Sequence, residues 1–513
     1  MNGDLNPARR ARHLDQLAAG ELVDLLVVGG GITGAGVALD AAGRGLSVAL
    51  LEREDLASGT SRWSSKLVHG GLRYLAGGDV GIAHESAVER RILMERTAPH
   101  LIRPLPMVLP LRGTDTRRST LLKGAGLVAG EILRKAAGTG AATLPRPHRL
   151  QRAEALTLVP ALRRADLTGA LLGWEGQLID DARLVLGVAR TAAAYGATIL
   201  TRAEVLALDG DGAMVRDRLG GGQFEVRARM VINATGVWAG TLADGIRLRP
   251  SRGTHLVFDA ATLGHPRAGL TVPLAGERNR YLLVLPQSGG RVYVGLTDVE
   301  VDPREPMPDV PTPTAAEIRY LLDAVSDVLE RPIDAADIRG AFAGLRPLLA
   351  GAAGRTADLS RRHAVLLGAD GVVTVVGGKL TTYRRMAADA VDAAVHAARL
   401  PAPRSRTRRL PLIGAAPARV LDRLPATRGL IERYGTEATR VQEAAADLHR
   451  PLVPGLPLTG AEVLFAVECE GALGAADVLD RRTRIGLVES ERAALEPAVT
   501  ALIEDRAREH TRT

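Results

Sequence analysis

Residues 22–52 read LVDLLVVGGGITGAGVALDAAGRGLSVALLE. An apolar run over 22–31 enters a glycine turn, 33–44 is Ala-rich with a helical pattern, and 47–52 is a second apolar run. Strand, helix and strand at this spacing form a β-α-β unit. The turn Gly29-Gly30-Gly31-Ile32-Thr33-Gly34 fits G-x-G-x-x-G in the required context, after a strand and opening a helix. Gly29 permits the tight turn, Gly31 lets the backbone approach a pyrophosphate, and Gly34 allows close packing of helix on sheet. The helix N-terminus offers free N–H groups and partial positive charge to phosphates. Glu52 closes the second strand at about the 20-residue spacing at which an acidic side chain meets ribose hydroxyls.

The fingerprint alone does not separate NAD from FAD. Two later strand-to-glycine junctions, Asn233-Ala234-Thr235-Gly236 and Val376-Gly377-Gly378-Lys379, fit the same sheet. A ligand that uses turns so far downstream is extended, which suits FAD. Outward from this core, 182–195 is helical in pattern and 198–208 strand-like. Residues 253–298 alternate as antiparallel strands with turns at Gly276-Glu277 and Gly289-Gly290, and a helix is expected over about 382–398. The expected architecture is an α/β Rossmann-like FAD-binding domain with an antiparallel-sheet substrate domain and a C-terminal all-α cap. Its parts are a mobile arm over 1–20, an interleaved oxidoreductase region over 21–400, a Pro- and Arg-rich linker over 401–411, and a helical domain over 412–513.

Composition restricts the function classes. The 513 residues exceed one ordinary core, and 46% hydrophobic with 24% charged residues is a globular balance. The formal charge of +8 is carried almost wholly by Arg, with lysine only at 66, 123, 135 and 379. Such a balance fits nucleic acid, an anionic membrane or an anionic substrate. The single cysteine, Cys469, excludes a disulfide framework, and no metal-ligand spacing or nucleophile elbow occurs. No signal peptide or membrane-spanning run is expected. Residues 121–137 have apolar positions at helical spacing with Lys123, Arg134 and Lys135, which fits either an amphipathic membrane-surface helix or an ordinary surface helix.

The segments 24–52, 55–61, 64–75 (Ser-Ser-Lys-Leu-Val-His-Gly-Gly-Leu-Arg-Tyr-Leu), 344–348 (Gly-Leu-Arg-Pro-Leu) and 377–384 (Gly-Gly-Lys-Leu-Thr-Thr-Tyr-Arg) closely resemble FAD-dependent glycerol-3-phosphate dehydrogenase. Arg481-Arg482-Thr483-Arg484-Ile485-Gly486-Leu487 resembles the signature of that family's helical cap. The resemblance runs from about residue 20 to about residue 500, and the 66–74 and 379–384 motifs are its most specific parts. It implies hydride transfer from C2 of sn-glycerol 3-phosphate to FAD, with electrons passed to a membrane quinone. The chain would then lie in the cytoplasm at the inner face of the cell membrane. Oxygen-using oxidases, glycerol-phosphate or amino-acid, are the near alternative. A tRNA-modifying flavoprotein is the distant one, although no nucleic-acid partner is expected. A homodimer is left open.

The resemblance also implies roles for residues. Arg73, Tyr74, Arg346 and Lys379 lie at the substrate, and Arg361 stands where the family has a phosphate-binding Arg, with Arg362 ambiguous by one position. A dianionic phosphate needs several fixed cations, and Arg offers bidentate contacts. His255 corresponds to an active-site His and is the candidate base or proton relay, although a structural His, or water beside an Arg-rich pocket, fits the residues too. Catalysis is thus assigned to His255 and Arg346. Thr60, Ser61, Lys66 and His69 line the flavin pocket, joined by Gly29, Gly31, Gly34, Glu52, Ala234, Gly236, Gly378, Leu380 and Thr381.

Overall fold

A computed structural model describes residues 2–512 except 72–73, 76–77, 275–279, 303, 351–361 and 444–445. Strands Leu25–Val28 and Val48–Glu52 pair in parallel, and helix Ile32–Gly43 joins them. Every residue of both strands is buried, which is why they read as unbroken apolar runs. The helix needs small residues because it is enclosed on several sides. A Cβ at Gly36 would lie 2.9 Å from the Tyr383 ring, and the helix also packs on Asp181–Ala194.

The sheet built on this unit runs in the order His363–Leu367, Val373–Gly377, Val231–Asn233, Leu25–Val28, Val48–Glu52, Thr198–Thr201. All are parallel except His363–Leu367. The C-terminal ends of 25–28, 231–233 and 373–377 therefore deliver their glycine turns to one edge, where α/β sheets bind ligands. The expected strand 198–208 is two strands. It breaks at Arg202, whose φ is +58°, and Ala203–Asp209 joins a separate three-stranded antiparallel sheet.

A larger, mainly antiparallel sheet forms the second half. Ser251–Asp259 pairs with Gly340–Arg346 and with Arg291–Gly295, placing His255 opposite Phe342 and Gly295, and Ser251 opposite Arg346. Alternation decides the faces. Leu256 and Phe258 enter this half's own core, whereas Val257 joins a cluster with Tyr293, Phe342 and Val488. Gly289 and Gly290 both take positive φ at their turn, as expected there, and the expected turn at Gly276-Glu277 lies outside the described residues.

The C-terminal part is helical, with Gly460–Glu470 and Glu489–Arg512 as its main elements. It is fastened to the dinucleotide half by buried charge. Asp55, just beyond the second strand, accepts from Arg481 Nε at 2.5 Å and from Arg482 Nη1 and Nη2 at 2.6 and 3.0 Å. All three side chains are buried, and the two guanidiniums hold the Asp55 carboxyl below its usual range against the penalty of burial. Removing one partner of such a group typically costs about 3–5 kcal/mol.

One organisational expectation is corrected. Residues 1–20 are not a mobile arm: Pro7–Ala18 is a helix that buries Leu17 and is pinned by Arg9 to the Ala193 carbonyl (2.7 Å) and by Arg10 to Asp217 (2.6 Å). Residues 401–411 are mostly exposed and touch the first half at two points, Thr407 donating to Asp40 at 3.1 Å and Leu410 entering the main core.

Burial of histidine makes folding sensitive to acid. His100 is buried, and desolvation together with Arg183 lowers its pKa to about 3; His13 is lowered to about 4 by burial, Arg9 and Arg12. Between the ordinary value of about 6.5 and these values the unfolded chain binds more protons, so stability falls as pH drops below about 6.5. Urea midpoints measured from pH 7 to pH 4 should fall, and His100→Asn should show a shallower fall. Parallel pH slopes for the two proteins would contradict this.

Candidate active site

One cavity of about 1840 Å³ follows the crevice between the two halves. It exceeds the roughly 300–1,000 Å³ of a site for one small ligand. It begins at the first glycine turn. Gly29 has φ +109°, and a Cβ there would stand 2.7 Å from the Ala234 carbonyl oxygen. A Cβ at Gly34 would stand 1.8 Å from the Gly29 carbonyl oxygen, so Gly34 serves packing beneath the turn and does not line the cavity. Gly31 does line it, caps the helix without any side-chain bond, and leaves backbone facing the space.

Glu52 closes this end. Its Oε2 accepts from the Gly30 amide at 2.6 Å and its Oε1 from the Glu54 amide at 2.8 Å. Burial nonetheless raises its pKa above the usual carboxylate range, against the hydrogen bonds from Glu54, Gly30 and Ser58. A desolvated carboxylate in a cavity wall is suited to receive further donors such as ribose hydroxyls. Side-chain-free turns, a helix start without a side-chain cap and a donor-seeking carboxylate fit an extended dinucleotide.

Further along, Thr60, Ser61, Ala234 and Gly236 line the wall. Ser61 Oγ accepts from the Ile32 amide at 2.9 Å, and Thr60 Oγ1 donates to the Leu345 carbonyl at 2.7 Å, joining the loop to both halves. The last turn brings Gly377 and Gly378, with φ of +78° and +73°, then Lys379, Leu380 and Thr381, all at the wall. His69 and Tyr74 stand there too, with ring centroids 6.5 Å apart.

The cations come from separate elements. Arg346 ends its strand, donates to Ser251 Oγ and the Thr297 carbonyl, both at 3.1 Å, and lies against Gly253, where any Cβ would sit 2.2 Å from Nη2. Lys379 Nζ lies 4.0 Å over the Tyr74 ring and bonds to Ser86 Oγ. Arg362 is exposed and pairs with Asp79 at 3.5 Å. Arg73 and Arg361 lie outside the described residues.

His255 is 1% exposed and stacked on Phe342 at 4.7 Å, and its Nε2 is 2.9 Å from Ser65 Oγ. Burial, then Lys66 and Arg346, lower its pKa to about 3, with Asp181 opposing, so the ring is neutral.

Lys66 is corrected. It does not line the cavity but sits behind the wall, 1% exposed, with Nζ donating to Asp181 at 2.8 Å and to the Arg62 and Ser64 carbonyls. Burial, with Arg484 next, pushes its pKa down to about 8. The expectation failed because a lysine inside a motif reads as ligand-facing, while its anionic partner lies 115 residues away. Sequence reasoning also missed Glu175, which accepts from the Gly70 amide at 3.0 Å at the cavity wall, and Asp181 itself. No local pattern marked either.

A family model described as FAD dependent oxidoreductase matches residues 24–384, and one described as the C-terminal domain of alpha-glycerophosphate oxidase matches 405–510. The chain is 53% identical over 501 residues to glycerol-3-phosphate dehydrogenase 1 of Mycobacterium tuberculosis, covering 95% of this chain and 96% of that one. The chain belongs to the FAD-dependent glycerol-3-phosphate dehydrogenase family. A Mycobacterium leprae glycerol-3-phosphate dehydrogenase is 38% identical, over 94% of this chain and 84% of its own. The X-ray structure of the Bacillus halodurans glycerol-3-phosphate dehydrogenase complexed with FAD matches with a TM-score of 0.72 at 26% identity, covering 98% and 97%. Membership bears out the expected fold and FAD as the family's cofactor, and the two model matches are separated by residues 385–404.

Gly31 has an ordinary extended backbone (φ −78°) that any residue adopts, and a Cβ there would stand 3.1 Å from Ser61 Oγ, a contact the Ser61 side chain must yield slightly to accept. Gly31→Val should fold yet purify without FAD, because its methyls occupy the pyrophosphate approach. A fully loaded yellow variant would contradict this assignment.

Proposed function

We propose that this protein oxidises sn-glycerol 3-phosphate to dihydroxyacetone phosphate by hydride transfer from C2 to FAD, with electrons passing on to a membrane quinone. The observation that carries the reading is that Arg346 and Lys379, held on different elements, both line the cavity into which the glycine turns open. Family membership at 53% identity to a named glycerol-3-phosphate dehydrogenase supports it.

FAD, when bound, supplies the two-electron acceptor. The chain supplies charge, orientation and a route for one proton. The Arg346 guanidinium offers a planar fork to phosphate oxygens, and Lys379 acts as a point charge steadied by the Tyr74 ring. By resemblance, Arg73 and Arg361 complete the phosphate set. His255, neutral and buried at the wall, is where the C2 hydroxyl proton ends up as hydride departs. The protonated carbonyl that would otherwise form is a strong acid, so even a ring of depressed basicity suffices.

Helix Arg117–Ala136 supports a membrane partner. Leu121, Leu122, Val128 and Ile132 are 60–73% exposed, and 121, 125, 128 and 132 fall on one stripe. Arg117, Arg118 and Lys135 flank it, suited to anionic headgroups. Among the described residues no helix is long and apolar enough to cross a membrane. Leu122, Lys123 and Leu127 of the same helix line the cavity, so a lipid-dissolved quinone at this surface is close to the site. The reading puts the protein in the cytoplasm against the inner face of the cell membrane.

Arg346→Ala should keep its FAD and raise KM for glycerol 3-phosphate about 10- to 100-fold, the loss expected for a charge-assisted contact of about 1.5–3 kcal/mol. An unchanged KM would remove Arg346 from substrate binding. Replacing Leu121, Val128 and Ile132 by Ser should abolish co-sedimentation with anionic vesicles and slow quinone reduction, while a soluble dye is still reduced normally. Undiminished vesicle binding would overturn the membrane assignment, and faster turnover with oxygen than with quinone would overturn the acceptor.

A further inference from the structure

We propose that the Ser65 hydroxyl, not the His255 ring, meets the substrate, relaying the C2 hydroxyl proton inward to His255. The proposal deepens the reading above and rests on it. Ser65 and His255 both line the cavity, but Ser65 is partly exposed whereas His255 is only 1% exposed. Ser65 Oγ is the recorded partner of His255 Nε2, and Nδ1 is buried without a hydrogen-bond partner. The ring is held between neighbours: Phe342 stacks on it at 4.7 Å with 11° between planes, and the Gly295 backbone lies so close that a Cβ there would stand 2.3 Å from His255 Cδ2. A base confined in this way reaches a substrate proton through an intermediary, and Ser65 is the hydroxyl at that position.

The corner carrying Ser65 is built to hold still. Ser64 donates to Asp181 Oδ2 from its amide at 2.9 Å and from Oγ at 2.7 Å. Lys66 Nζ grips the same Asp181 oxygen at 2.8 Å and the Ser64 carbonyl at 3.1 Å. Lys66 has φ +57°, a left-handed conformation that a non-glycine residue keeps only where its surroundings impose it. Both neighbours of Ser65 are thus fixed to one fully buried carboxylate, which turns the Ser65 side chain to the wall. Lys66 and Asp181 are positioning residues for the relay, and this accounts for a lysine that never reaches the cavity.

The step balances. The C2–H bond breaks and its electron pair leaves as hydride to FAD. The substrate O–H bond breaks, its proton passes to Ser65 Oγ, and the Ser65 proton passes to Nε2 of the Nδ1–H tautomer. The products are a ketone, a serine hydroxyl turned round, and an imidazolium. Lys66 and Arg346 disfavour that cation, so its proton returns to solvent when the product leaves.

The test uses FAD-loaded protein mixed anaerobically with glycerol 3-phosphate, following flavin absorbance in H2O and D2O. Ser65→Ala should retain FAD and bind substrate within a few-fold of the parent. Its limiting reduction rate should fall by at least about tenfold, the low side of general acid–base effects, with a smaller D2O slowing. Ser65→Thr, which keeps a hydroxyl, should recover part of the rate. Reduction of the Ala variant at the parent rate with the parent D2O effect would overturn the relay. If the parent protein itself is not bleached by glycerol 3-phosphate, the substrate reading fails first, and the relay with it.

Discussion

The cavity depends on contact between bare backbone segments. The Gly29 turn packs on the carbonyl of Ala234, and helix Ile32–Gly43 packs on the carbonyl of Gly29, with 2.7 and 1.8 Å where Cβ atoms would stand. No side chain fits at either place. The parallel sheet can therefore bring three strand ends, from residues 28, 233 and 377, to one edge with amides and carbonyls facing the same space. An extended dinucleotide lies along such an edge because nothing projects into its path.

Charge is fixed on both faces of this wall. Behind it, cations are sealed against carboxylates: Lys66 on Asp181, Arg481 and Arg482 on Asp55, Arg183 on Glu470. Buried pairs of this kind add little net stability, but breaking one is expensive, so they fix geometry. They tie the C-terminal helices to the loop after strand Val48–Glu52 and tie the Ser64–Lys66 corner to helix Asp181–Ala194. Facing the cavity, Arg346 pairs with Asp298 at 3.5 Å and donates to Ser251 Oγ and the Thr297 carbonyl, and Lys379 bonds to Ser86 Oγ over the Tyr74 ring, contacts that set the direction of both cations at the wall where the reading puts phosphate.

Legibility in the sequence followed the range of the interactions. The β-α-β unit was readable because turn, helix and strand are consecutive, and each glycine has a local steric reason. The alternating second half and the helical C-terminus were readable from their periods. Lys66 was misplaced because its meaning lies in Asp181, distant in the chain. The N-terminal helix was taken for a loose arm because its anchors, Ala193 and Asp217, belong to other elements. Thr198–Thr201 and Ala203–Asp209 read as one strand because the break rests on a single left-handed residue, Arg202, with no glycine to announce it. Ser65 is not legible as a site residue in the sequence, since its bond to His255, 190 residues away, forms only in the folded chain.

The central claim is that fixed cations hold a phosphorylated alcohol against the flavin. The most direct measurement is an anaerobic titration of the FAD-loaded protein, comparing glycerol 3-phosphate with glycerol by flavin absorbance. The account predicts stoichiometric bleaching by the phosphorylated alcohol and none by glycerol at the same concentrations. An oxidised spectrum that persists with glycerol 3-phosphate, or equal bleaching by both, would contradict it.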